Sequence, residues 1–206
     1  MAEWAAAVAA AGVDVIQLRE SGLADSALTA LARSVVAATA GTRTMVLMND
    51  RSDVALVTGC GGVHLPSSAP PATVVRRVTP AGFVVGRSVH DHDDLTAEEA
   101  GCDYLTYGTV FASASKPAGH RAVGLEALRR TCAESTRPVQ AIGGITIENA
   151  AAVAEAGAAG VAAIGLFLDG WSTGIGADRL TAIVSRLRSV FTRVGLNSIG
   201  MRGDAS

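Results

Sequence analysis

Short apolar runs alternate with longer amphipathic stretches along the chain. The runs Val13–Leu18, Thr44–Met48, Gly62–Leu65, Phe83–Val89, Tyr104–Val110, Val139–Ile142 and Val161–Phe167 are rich in branched aliphatics and read as strands. Between them, helical periodicity predicts helices over Asp25–Ala38, Ala97–Ala100, Leu125–Cys132, Ile147–Ala154 and Ala177–Val190. An alanine-rich stretch from Trp4 reads as a further helix ending at Gly12. It is too short to span a bilayer, and Glu3 stands where a signal peptide carries basic residues. Strands alternating with helices imply right-handed βαβ units and a parallel sheet. The expected fold is α/β, a TIM (β/α)8-type barrel. Seven strands are visible where that barrel has eight. Because the chain opens on a helix, the first strand is the one absent.

Composition narrows this picture. A chain of 206 residues suits one domain, and residues 1–196 are expected to form it. Residues 197–206 are mostly polar, contain two glycines and read as a disordered tail. Aromatics make up only 4% of the chain, so aliphatics and alanine must fill the core, as in helices packed closely on a parallel sheet. The formal charge of −2, without a lysine or arginine cluster, argues against a nucleic-acid surface. Cys60, Cys102 and Cys132 are odd in number and lack metal-ligand spacing, which fits reduced thiols in a cytoplasmic protein. No membrane segment is expected, and an oligomer is compatible with this composition.

Chemistry in such a barrel sits at the C-terminal strand ends. The stretch Val139–Ile145 carries an apolar strand into Gly143 and Gly144, where the backbone can approach a ligand with no side chain between. A following helix start favours an anion there. Gly160–Phe167 repeats the arrangement, with Gly165 near its end. Gln17 and Arg19 are two apart, so both can face the same side, and an arginine there can grip a phosphate. Asn49 and Asp50 at a strand tip suit a ligand hydroxyl or Mg²⁺, or alternatively a turn or helix cap. His90, followed by Asp91 and Asp93, is the leading acid/base candidate, because imidazole titrates near neutrality. His64 reads as a hydrogen-bonded barrel histidine and His92 as solvent-facing. Ser113, Ser115 and Lys116 offer two hydroxyls and a cation on a loop of small residues, an anion cradle that runs on through Gly119 and His120 as a lid.

Taken together, these runs resemble the thiamine phosphate synthase and thiazole tautomerase (TenI-type) superfamily. The matching runs are Q-L-R-E at Gln17, N-D-R at Asn49, G-V-H-L at Gly62, G-R-S-V-H at Gly86, D-Y-L-T-Y-G-T-V-F at Asp103, S-A-S-K at Ser113 and A-I-G-G-I at Ala141. Their shared order and spacing carry the resemblance from Val15 to about Phe167. It implies a barrel of thiamine biosynthesis acting on a small phosphorylated thiazole. In a synthase, Gln17, Arg19 and Asn49 would hold the pyrophosphate of the pyrimidine substrate, with Asp50 on Mg²⁺. Ser113, Ser115 and Lys116 would serve both substrates. Gly143, Gly144, Ile164 and Gly165 would hold the thiazole phosphate through backbone N–H groups. Ser88 and Thr109, in two matching runs, are further substrate-contact candidates.

The departures from the synthase pattern concentrate at the pyrophosphate end. Ser21 stands where that pattern has a lysine. Pro66-Ser67-Ser68-Ala69 stands where it runs G-Q-E-D, with its aspartate on Mg²⁺. The L-P-S and R-S-V-H runs look more like the tautomerase branch, although Thr109 replaces a histidine that branch can carry. The leading expectation is therefore a tautomerase that aromatises a thiazole phosphate without a cofactor, using His90 with Lys116 and His120 from the lid. The alternatives are a Mg²⁺-dependent synthase releasing pyrophosphate, and a catalytically inactive barrel that binds a phosphorylated ligand.

Overall fold

The computed structural model describes residues 1–91, 93–113, 121–169, 171 and 176–193. Seven parallel strands pair in chain order: β1 (Val15–Leu18), β2 (Met45–Asn49), β3 (Gly62–Leu65), β4 (Val84–Val89), β5 (Tyr104–Gly108), β6 (Val139–Ile142) and β7 (Gly160–Ala162). Helices α1 (Ala2–Ala10), α2 (Asp25–Thr39), α3 (Ser52–Thr58), α4 (Ala72–Arg76), α5 (Leu95–Glu99), α6 (Gly124–Glu134), α7 (Ala150–Glu155), α8 (Gly165–Leu168) and α9 (Ala177–Arg193) alternate with them. This is the curled sheet of a TIM-type barrel without its first strand. Among the described residues, β1 pairs with β2 alone and β7 with β6 alone. Helices span the gap instead. α1 packs on both α2 and α9, and the indole N–H of Trp4 donates to the carbonyl of Phe167 across 3.1 Å. Arg188 of α9 donates to the Gly12 carbonyl at 2.7 Å and to Asp14 at 2.6 Å, just ahead of β1.

Strand alternation sorts the side chains into two layers. Ile16, Leu18, Val46, Met48, Val63, Leu65, Val85, Val89, Leu105 and Tyr107 face outward into the main core beneath the helices. Leu47, Val84 and Tyr104, with Val15 and Met45, fill the barrel interior. The residues two places further on, Gln17 and Asn49 among them, therefore reach the C-terminal mouth. Among the described residues no helix is long and apolar enough to cross a membrane.

Several boundaries differ from the periodicity reading. The run Val161–Phe167 is not one strand. Pairing stops at Ala162, and the N–H groups of Phe167 and Leu168 turn back to the carbonyl of Ile164 to open α8. β5 ends at Gly108, although Val110 and Phe111 still donate to the carbonyls of Ile142 and Gly143. Ile147–Asn149 forms a turn, so α7 starts at Ala150. The short helices α3 and α4 fill the gaps between β2 and β3 and between β3 and β4.

Candidate functional site

The C-terminal strand ends collect two groups of candidate residues. The first spans β1 to β4. The Gln17 amide donates to Asn49 Oδ1 across 3.0 Å, joining two predicted ligand contacts. Arg19 follows β1, is exposed, and adds its positive charge to the surroundings of His64. Asp50 follows β2 in a left-handed conformation, φ 64°, and its N–H donates to the His64 carbonyl at 2.9 Å. Arg51, the last residue of the N-D-R run, turns away. Its guanidinium forks onto Asp25 at 2.6 Å and Asp53 at 2.7 Å, joining α2 to α3.

Inside the mouth, His64 is the hydrogen-bonded barrel histidine the sequence suggested, but its partners were not foreseen. His64 is 4% exposed. Its Nδ1 is 2.9 Å from the Tyr104 hydroxyl, and its Nε2 is 2.8 Å from Ser88 Oγ. Strand register puts His64, Gly86 and Tyr104 in one row across β3, β4 and β5. Tyr104 reaches His64 by crossing Gly86, where a Cβ would fall 2.1 Å from the phenol ring. Glycine at this position makes the contact possible. Desolvation pushes the imidazole pKa down to about 4, with the Arg19 charge acting in the same direction. It pushes the Tyr104 hydroxyl well above its usual range. The available signal was the shared inward parity of His64, Gly86 and Tyr104.

His90 lies just beyond β4 and is exposed. Its Nε2 is 3.3 Å from Ser67 Oγ, and its backbone N–H donates to Asp93 at 2.6 Å. It borders a cavity of about 370 Å³ shared with Asp91, Asp93, Arg130, Thr131 and Glu134. That cavity belongs to the helical layer, since Arg130, Thr131 and Glu134 lie on α6. Asp91 faces the same way and accepts from the Tyr107 hydroxyl at 2.8 Å. Ser67 belongs to the turn after β3. The carbonyls of Ser67, Ala69 and Pro70 accept from the buried guanidinium of Arg87 at 3.1, 3.2 and 3.0 Å, and Glu98 also binds it.

The second group surrounds β5 to β7. Thr109 is buried and packs on Gly143, whose Cβ would fall 2.3 Å from the threonine methyl. Gly143 and Gly144 both have positive φ, 99° and 61°. At Gly144 a Cβ would lie 2.4 Å from the Ala112 carbonyl oxygen. The glycine pair therefore admits the loop after β5, whose residues fill the space a Cβ would take. Ser113 closes the described part of that loop and is half-buried. Ile164 is 62% exposed at the start of α8, and Gly165 is the first residue of that helix. Ser115, Lys116, His120, His92 and the tail 197–206 lie outside the described residues.

The donor set bears on Mg²⁺. Among the described residues no three His, Cys, Asp or Glu side chains converge as a metal site. Asp50 is an exposed carboxylate just past β2, Glu20 is another two residues past β1, and Asp25 and Asp53 are engaged by Arg51. Carboxylates outside any ligand cluster fit an ion brought in and held largely by substrate phosphates.

A family model described as thiamine monophosphate synthase matches residues 1–167. The thiamine-phosphate synthase of Methanoregula boonei is 39% identical over 164 residues, covering 79% of this chain and 76% of the relative. That of Methanoculleus marisnigri is 38% identical over 181 residues, covering 87% and 82%. The solved thiamine phosphate pyrophosphorylase from Pyrococcus furiosus superposes with a TM-score of 0.76 at 28% identity, over 94% of this chain and 90% of that one. By this match and these identities, the chain belongs to the thiamine monophosphate synthase family.

Proposed function

We propose that this protein acts in the cytoplasm on a thiazole phosphate, and that it does so as a tautomerase. The observation that carries this reading is the turn after β3. Where the synthase pattern has a metal-binding aspartate, this chain has Ala69, and the turn holds Arg87 through three carbonyls. The turn then presents the Ser67 hydroxyl to His90. The loops after β3 and β4 thus carry an imidazole and a hydroxyl in place of a second carboxylate. Tautomerisation removes one proton from the substrate and returns one at another atom, so it needs an acid/base group and no leaving group. His90 is assigned that role. Gln17, Arg19, Asn49, Ser88, Thr109 and Ser113 would orient the substrate. Gly143, Gly144, Ile164 and Gly165 would bind its phosphate, with Ser115 and Lys116 contributing from the lid.

The named relatives favour a second reading, thiamine phosphate synthase. There Mg²⁺ would neutralise charge growing on the departing pyrophosphate, with Asp50 as its protein carboxylate and Arg19 as a phosphate contact.

One assay pair separates the readings. A tautomerase aromatises the thiazole phosphate tautomer without Mg²⁺ or the pyrimidine substrate, and His90→Asn slows it by about 10²–10⁴-fold. A synthase releases pyrophosphate when both substrates and Mg²⁺ are present, and Arg19→Ala and Asp50→Ala are the damaging changes. Robust pyrophosphate release overturns the first reading. Neither activity, with thiazole phosphate binding retained, identifies an inactive binding barrel.

A further inference from the structure

Tyr104, His64 and Ser88 form one hydrogen-bonded line from the barrel interior to its mouth. We propose that this line holds His64 as the Nε2–H tautomer and thereby turns the Ser88 hydroxyl hydrogen outward, as a donor to the phosphorylated substrate. Tyr104 and His64 act here as positioning residues, and Ser88 alone makes the contact. The inference rests on the reading that a phosphorylated thiazole binds at this mouth.

The argument starts from counting hydrogens. A neutral imidazole has one N–H and one lone pair, so its two hydrogen bonds must run in the same direction along the line. Either Tyr104 donates to Nδ1 and Nε2–H donates to Ser88, or Ser88 donates to Nε2 and Nδ1–H donates to Tyr104. The distances, 2.9 and 2.8 Å, allow both. Acid–base chemistry does not. A phenol is a much stronger acid than a neutral imidazole, and an imidazole nitrogen is a much better base than a phenol oxygen. The strong donor is therefore matched to the strong acceptor when Tyr104 donates to Nδ1. Burial keeps both groups in the forms this requires, the phenol protonated and the imidazole neutral. Ser88 Oγ then accepts from Nε2–H. Its own hydrogen cannot be directed at the imidazole and must find an acceptor elsewhere. Ser88 is half-buried and shares the inward face of the sheet with His64, so the open direction is the mouth. With the substrate phosphate placed at Gly143, Gly144, Ile164 and Gly165, the acceptor Ser88 meets there is a heteroatom of the thiazole ring.

Two neighbours hold the geometry in place. Gly86 lets the Tyr104 ring lie across β4. The tilted ring pair, with centroids 5.6 Å apart, restrains the imidazole against flipping.

The test has two arms. Nitrogen-15 NMR of the histidine rings at neutral pH distinguishes protonated from unprotonated nitrogens, and a His64→Gln variant identifies the His64 signals among the four histidines. The expected result is a single Nε2–H tautomer in the free protein. It should persist in Ser88→Ala and lose its uniqueness in Tyr104→Phe. A dominant Nδ1–H tautomer in the unaltered protein overturns the proposal, and no variant has to fold for that result. The second arm measures affinity for the thiazole phosphate. Ser88→Ala should weaken it by about 5-fold, the scale of a hydrogen bond between neutral groups. Tyr104→Phe should weaken it less, and by nothing further when Ser88 is already alanine. Additive losses overturn the positioning role. Failure of the unaltered protein to bind the thiazole phosphate overturns the functional reading and the donor role of Ser88 with it, while the tautomer is still decided by the first arm.

Discussion

The side-chain amide of Asn149 donates to the carbonyl of Gly144 across 2.9 Å, while Asn149 Oδ1 accepts from the N–H of Thr146 at 2.9 Å. The turn after β6 thus satisfies its own polar groups and holds Gly144 in a left-handed conformation against Phe111 and Ala112. Gly144→Ala adds a Cβ to that contact and imposes positive φ on a non-glycine residue. The expected cost is about 2–4 kcal/mol, the sum of conformational strain and overpacking. Gly41→Ala is the internal control, because Gly41 also has positive φ but faces open space. It should cost only the strain, about 1 kcal/mol. Urea denaturation of both variants measures the difference, and equal costs would remove the packing argument.

Arg87 supplies the second prediction. Its guanidinium is 4% exposed and is shared by Glu98 and three carbonyls of the turn after β3. Arg87→Ala should cost about 3–5 kcal/mol, because it leaves a carboxylate and several carbonyls without their donor. Arg87→Lys should recover only part of this, since an ammonium cannot fork between Glu98 and the turn. In the lysine variant the Ser67–His90 contact should loosen, and the proposed tautomerase rate should fall even when the protein is fully folded. A lysine variant with unchanged stability and rate would refute the role assigned to the turn.

The fold was legible because apolar residues dominate the strands and the strands are regularly spaced. Core runs such as Val139–Ile142 and Gly62–Leu65 coincide with the paired strands. Boundaries were lost wherever a backbone turn, and no side-chain pattern, ended the element. Ile164 is as apolar as the residues of β7, yet the chain turns at its carbonyl. Candidate residues at the strand ends were legible by position: Gln17, Asn49, Ser88 and Gly143 all reach the mouth. Their partners were not. That Arg51 serves α2 and α3, and that Tyr104 crosses Gly86 to reach His64, depends on register between strands far apart in sequence.

Asp50 bears on the metal. With no cluster of metal-ligating side chains around it among the described residues, it should bind free Mg²⁺ weakly, because Mg²⁺ dehydrates reluctantly and relies on substrate phosphates to complete its shell. Calorimetric titration of Mg²⁺ into the protein alone should show no site tighter than about millimolar. Adding inorganic pyrophosphate should raise the apparent affinity if the mouth accepts a metal–pyrophosphate pair. A micromolar site in the absence of any phosphate would contradict this assignment.

The last prediction concerns acid stability and follows from His64. Burial holds its imidazole pKa down at about 4, against about 6.5 for a free imidazole. The unfolded chain therefore takes up a proton first as the pH falls, and protonation favours unfolding. The contribution of His64 to stability is fully present above pH 6.5. It declines between 6.5 and 4, by an amount on the order of 3 kcal/mol. Carboxylates such as Glu99, held below their usual range by hydrogen bonds from Ser135, Thr136 and Arg137 that outweigh its desolvation, add their own loss in acid. A single denaturation curve would mix the two. The difference between the unaltered protein and His64→Gln isolates the imidazole, because glutamine does not titrate. Plotted from pH 7.5 to 4.5, the stability of the unaltered protein should fall more steeply than that of the variant, with most of the divergence below pH 6. Parallel curves would mean that His64 is as easily protonated in the folded chain as in the unfolded one, which is incompatible with a buried imidazole held between Tyr104 and Ser88.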